Sequence, residues 1–114
     1  MLFLKSFSVL TVAGLLTISL SSNVRAGCYE DVGCTDRDRF SERALSRLSC
    51  QNLDFLRNSI YAENGYCFKD ADYQHIFGNK YCRFETSGAV PLTHLERANV
   101  LSIVDLEKAK GCGG

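Results

Sequence analysis

The sequence predicts an all-α fold, a small disulfide-stapled helical domain that follows a cleaved signal peptide. Three observations carry that prediction. Apolar residues recur at three- and four-residue steps between helix-capping residues. All six cysteines fall in the stretch from Cys28 to Cys112. The first 26 residues are laid out as an export leader.

The chain has 114 residues, enough for one domain, with 13 basic side chains against 13 acidic ones. Overall neutrality excludes the simplest nucleic-acid reading, which wants a basic excess, so no nucleic-acid partner is expected.

The leader comes first. Its opening segment carries one charge, Lys5, and is followed by an apolar stretch from Phe7 to Leu20 and the small-residue exit Val24-Arg25-Ala26. Charge, apolar core and small residues in that order define a secretory signal. The apolar part falls short of the roughly 20 residues a membrane anchor requires, so the mature chain is expected to have no transmembrane anchor. Cleavage is placed after Ala26. Ala26-Gly27-Cys28 also resembles the end of a bacterial lipoprotein signal. Arg25 stands where that signal carries an aliphatic residue, however, and acylating Cys28 would leave an odd thiol, so soluble export to the periplasm or beyond is preferred.

Removing 26 residues leaves Gly27–Gly114, 88 residues with 11 basic and 13 acidic side chains and a net charge of −2. Cys28, Cys34, Cys50, Cys67, Cys82 and Cys112 give an even count in a short exported chain, which reads as a disulfide framework. Ordering each residue costs roughly 1.5 kcal/mol, and a core this small barely offsets the sum. Three bridges at about 2–4 kcal/mol apiece would decide whether it folds. Zinc is the rival reading. Its ligands usually come in pairs two to four residues apart, whereas Cys28 and Cys34 are six apart and His75 and His94 lie at ligand spacing to no cysteine. No metal and no cofactor are expected. Six cysteines allow 15 connectivities and sequence does not choose among them. The arrangement preferred here is Cys67–Cys82 around one short helix, with Cys50–Cys112 and Cys28–Cys34.

Residues 27–35 form a stapled N-terminal arm without helical period, and residues 36–114 the helical domain. From Asp36 onward Phe40, Ala44, Leu45 and Leu48 mark one helical face, and Arg39, Arg43 and Arg47 another. Ser49 is the N-cap of the next helix, which continues through Leu53, Leu56 and Ile60 and stops at Gly65. Asp70 caps a short helix, Ala71 to Phe77, closed by Gly78. Residues 80–89 read as irregular, with a brief extended piece around Tyr81 to Phe84. Thr93 with Glu96 three residues on is a capping box, and Leu95, Ala98, Leu101, Ile103, Val104 and Leu106 line the last helix up to Gly111.

Leu56-Arg57-Asn58-Ser59-Ile60-Tyr61-Ala62-Glu63-Asn64-Gly65-Tyr66-Cys67-Phe68 resembles the signature of the YARHG domain family. That signature runs Leu-Arg-Asn-x-Ile-Tyr-Ala-Arg-His-Gly, then two aromatics bracketing an apolar residue. Ile76-Phe77, Lys80-Tyr81 and Glu96-Arg97-Ala98-Asn99 resemble its later elements, so the likeness extends from Leu48 to about Glu107. The family's Arg-His is replaced by Glu63-Asn64, and no role of that guanidinium or imidazole carries over. Cys67 takes a position that is usually aliphatic. The resemblance implies an extracytoplasmic bacterial module, often joined to envelope proteins, without established catalysis.

The matched residues also have structural readings. Tyr61 buries its ring with the hydroxyl partnered. Ala62 admits the last helix, Asn99 satisfies a loop backbone group, and Arg57 and Asn58 tie their helix to the irregular segment.

Chemistry-bearing sets are sparse. A glycan-cleaving carboxylate pair could be drawn from Glu63 with Asp70 or Asp72, but nothing marks these as buried. The thiols are committed to bridges, and phosphate-loop and Ser-nucleophile motifs are absent. The arginine stripe could meet anionic headgroups or wall polymers, although Asp36, Asp38 and Glu42 offset its field. Seven aromatics crowd between Tyr61 and Phe84, of which Tyr73 and Tyr81 are expected to be partly exposed and able to stack on a sugar. The expectation is a non-enzymatic exported module that binds an envelope protein or peptidoglycan. A small inhibitor of an extracytoplasmic enzyme is the alternative, and a cell-wall hydrolase using Glu63 comes third.

Overall fold

The computed structural model describes residues 27–113. The expected leader, Met1–Ala26, lies outside them. Two short strands, β1 (Cys28–Tyr29) and β2 (Gly33–Cys34), open the fold. Four helices follow, α1 (Glu42–Ser46), α2 (Cys50–Glu63), α3 (Ala71–Phe77) and α4 (His94–Ala109), with a 3₁₀ turn at Ser87–Ala89 before the last.

The N-terminal arm corrects the all-α expectation. β1 and β2 pair antiparallel with Cys28 opposite Cys34, and the same two residues share a disulfide. Thr35 N–H donates to Gly27 O across 2.7 Å and extends the pairing. Five residues between the cysteines leave room for a tight reversal but not for a helical turn with both ends bridged. Gly33, at φ +104°, supplies the backbone conformation that other residues avoid.

The first helix is shorter than its apolar spacing suggests. Helix begins only at Glu42, where the Ser41 side chain accepts from Ala44 N–H. Residues 36–40 are instead held outside the helix by a remote partner, since Phe40 N–H donates to Asn99 Oδ1 of α4. Arg39 therefore precedes α1, Arg43 lies within it and Arg47 is its C-cap. The three arginines do not form a helical stripe.

The remaining elements follow their caps. Ser49 accepts from Asn52 N–H at the start of α2, and Asp70 Oδ1 accepts from Asp72 and Tyr73 N–H at the start of α3. Thr93 and Glu96 exchange both bonds of a capping box at the start of α4. Gly65, at φ +95°, lies just beyond the end of α2.

Helix α4 packs against α2 and α1. The core between them holds Phe40, Leu45, Leu53, Leu56, Ile60, Val100 and Ile103, with Tyr29, Val32 and Leu48 adding cover from the arm and α1. Cys50–Cys112 ties the first turn of α2 to the segment after α4, and Cys67–Cys82 closes the α3 excursion. Among the described residues no helix is long and apolar enough to cross a membrane.

Candidate functional site

The motif residues are chiefly scaffold. Arg57 Nε and Nη2 donate to Glu107 Oε1 and Oε2 at 2.9 and 3.1 Å, a two-pronged pair that joins α2 to α4. Arg57 Nη2 also reaches Asp54 Oδ1 at 2.8 Å. Asn58 donates to Asp54 within its own helix. Arg57 and Asn58 thus do not tie α2 directly to the irregular segment. Asp54 instead ties α2 to α3, accepting the Tyr73 hydroxyl on Oδ2. This bond raises the Tyr73 pKa above its ordinary value, because the ionised phenol would face the carboxylate.

Asn99, fully buried in α4, is saturated by backbone groups. Its Oδ1 accepts from Phe40 N–H, while its amide donates to the carbonyls of Thr35 and Asp38. Leu56 and Ile60 are in the core and Ala98 is half-buried. Tyr61 is half-buried, its ring edge-on to Tyr66. Among the described residues its hydroxyl has no hydrogen-bond partner.

Phe68 anchors the aromatic cluster. Its buried ring meets those of Tyr66, Tyr73 and Phe77 at centroid distances of 4.8, 5.6 and 5.1 Å. Its backbone is clamped by Asn79, whose Oδ1 accepts from Phe68 N–H and whose Nδ2 donates to Phe68 O. Gln74 adds a second donor to the same carbonyl. Sequence reasoning missed Asp54, Gln74 and Asn79, because each acts on a residue brought near only by the return of the chain through α3.

The motif's end builds a groove. Gly65 lets the chain turn so that its carbonyl accepts from both Arg83 and Phe84 N–H. A Cβ at Gly65 would stand 3.1 Å from the Phe84 ring. Tyr66 and Phe84 consequently form a parallel bridge, and Cys67 N–H donates to Phe84 O. The resulting cleft of about 560 Å³ runs between Ala62–Tyr66 and Phe77–Arg83, with Pro91 at its edge. Tyr81 is 83% exposed beside it. Lys80 Nζ lies 5.5 Å from the Tyr81 ring centre and the Arg83 guanidinium 5.7 Å from that of Phe84. Among the described residues neither cation forms an ion pair with a carboxylate.

Glu63 also borders the groove. The residue is exposed overall, yet its carboxylate end is turned toward the arm, where the Thr35 hydroxyl donates to Oε1 at 2.6 Å. Partial burial raises its pKa above the usual carboxylate range, against the pull of the Thr35 bond, and Glu96 and Asp36 add to the rise. Asp70 and Asp72 line a separate depression with Tyr73 and Ile76, so Glu63 does not share a cleft with either. Among the described residues no group of His, Cys, Asp and Glu could hold a metal ion.

These features define a small helical module stapled by three disulfides, with a groove beside the C-terminal end of α2. The sequence model of the YARHG domain matches residues 31–108, and the chain belongs to that family of extracellular domains. Comparison with curated proteins and with solved structures found no match.

Proposed function

We propose that this chain is an exported, non-enzymatic module that binds a protein partner in the cell envelope through the Glu63–Arg83 groove. The observation that carries the reading is an exposed Tyr81 in a groove with two cations, Lys80 against its own ring and Arg83 against Phe84, that have no carboxylate of their own among the described residues. Such a surface suits a segment bearing carboxylates, with the tyrosine ring supplying apolar contact at low entropic cost. The disulfides favour a rigid and oxidised setting.

A second reading is supported by the same ring. An exposed tyrosine can stack on a sugar, which favours peptidoglycan as the ligand. The test places a photo-crosslinking side chain at Tyr81 and, in parallel, sediments the protein with purified sacculi across a salt series. A discrete crosslinked protein, weakened by salt, supports the leading reading. Salt-resistant sedimentation without a protein adduct supports the glycan reading. Failure of both assays removes the groove as the binding surface.

A further inference from the structure

We propose that cleavage after Ala26 creates an ion pair for which the fold already has the acceptor in place, between the new α-ammonium of Gly27 and the Glu63 carboxylate. The inference takes the cleavage position from the leader sequence and is independent of what the groove binds.

Thr35 positions both partners. Its backbone N–H donates to Gly27 O at 2.7 Å, and its hydroxyl donates to Glu63 Oε1 at 2.6 Å. Gly27 is packed so closely against the acid that a Cβ would fall 3.0 Å from each carboxylate oxygen and 2.8 Å from Thr35 Oγ1. The amino nitrogen is bonded to the same Cα, about 2.5 Å from that Cβ position, so it lies no farther than about 5.5 Å from either carboxylate oxygen, a separation at which an opposite charge favours the ionised acid.

The charge around Glu63 lacks a cation. Among the described residues no basic side chain pairs with it. Its facing titratable groups are Asp36, just after the arm, and Glu96, at the start of α4, both of the same sign. Lys80 and Arg83 lie elsewhere along the groove. Before cleavage Gly27 N is a neutral amide. After cleavage it is an amine with an ordinary pKa near 8, charged at neutral pH. The cation therefore arrives where partial burial and two neighbouring acids disfavour a lone carboxylate. With Glu63 paired, Lys80 and Arg83 remain as the groove's uncompensated charges.

The experiment uses protein exported by its own leader and purified in the oxidised state. Intact mass identifies the first residue. Half the sample is acetylated at the α-amine under mildly acidic conditions that spare lysines, and the Glu63 side-chain carboxyl is titrated by carbon NMR in both forms. An opposite charge at this distance lowers a carboxylate pKa by about 1 unit or more. The expected result is a chain beginning at Gly27 in which acetylation raises the Glu63 midpoint by about one unit. Acetylation should also lower the thermal midpoint at neutral pH, and Glu63→Gln should abolish that difference between the two forms. An exported chain that starts elsewhere overturns the processing step. An unchanged Glu63 midpoint, or a stability difference that survives in Glu63→Gln, overturns the ion pair.

Discussion

The Tyr73 hydroxyl donates to Asp54 Oδ2 at 2.5 Å, fastening the short helix α3 to the middle of α2. The other oxygen of the same carboxylate accepts from Arg57, which holds Glu107 of α4. One carboxylate therefore connects three helices. Tyr73→Phe keeps the ring in the aromatic cluster and removes only the hydroxyl. The expected loss is about 1–2 kcal/mol, since a hydrogen bond to a charged but partly solvated group is worth that much. Urea unfolding monitored by circular dichroism measures it.

The same bond makes stability fall in alkali. The folded-state pKa of Tyr73 is raised, chiefly by its bond to Asp54, with burial and the Asp54 charge adding to it. A group whose pKa is raised on folding contributes its full stability below the unfolded value, near 10 for tyrosine, and loses it as pH climbs through the folded value. Tyrosinate absorbance should show one late-titrating residue, absent in Tyr73→Phe. A stability advantage over Tyr73→Phe that persisted undiminished into strong alkali would contradict this assignment.

Much of the fold was legible because it is written in local chemistry. Ser49, Asp70 and the Thr93–Glu96 pair each act within three residues, and each starts a helix where its spacing predicts. The three disulfides also match the preferred pairing. The first helix was misread for the opposite reason. Phe40 has helical spacing to Ala44 and Leu48, but its N–H is bound by Asn99, 59 residues away. Local periodicity carries no information about that partner. Within the candidate groove, Tyr81 was legible as an exposed aromatic, whereas the groove itself forms where Arg83 and Phe84 return to the Gly65 carbonyl, a long-range contact that local spacing does not encode.

Asn99 should be among the most sensitive positions. It is fully buried and serves three backbone groups, two carbonyls and one N–H. Asn99→Ala would strand these groups beneath α4, at about 1–3 kcal/mol for each one left unsatisfied. Partial access of water lowers the sum, so about 3 kcal/mol in total is expected. Hydrogen exchange offers a site-specific check, because the Phe40 amide should lose its protection first. Protection retained at Phe40 would show that its amide has another partner.

The disulfides should differ in weight. Cys50–Cys112, Cys67–Cys82 and Cys28–Cys34 span sequence separations of 62, 15 and 6 residues. Loop-closure entropy alone ranks their contributions at about 4, 3 and 2 kcal/mol. Replacing each pair by serines should lower the urea midpoint in that order. The outer bridge matters most because it limits the unfolded chain over nearly the whole helical domain. Reducing all three should unfold the protein, and a reduced sample that kept the thermal midpoint of the oxidised one would refute the staple argument.

Tyr81 separates binding from folding. At 83% exposure its ring contributes little to packing, and an exposed substitution usually shifts stability by no more than about 0.5 kcal/mol. Tyr81→Ala should therefore unfold at nearly the same urea concentration as the parent. Tyr73→Ala should not, because the Tyr73 ring packs against Phe68 and Phe77 and its hydroxyl holds Asp54. If the groove binds a carboxylate-bearing segment, Tyr81→Ala weakens capture of the partner without loss of fold. Lys80→Glu should weaken it further, because it turns attraction into repulsion beside the same ring. Raising the salt concentration should shrink the gap between Lys80→Glu and the parent while leaving that between Tyr81→Ala and the parent largely in place, since only the first is screened. A Tyr81→Ala protein that is folded and captures its partner as well as the parent does would move the binding surface away from this groove.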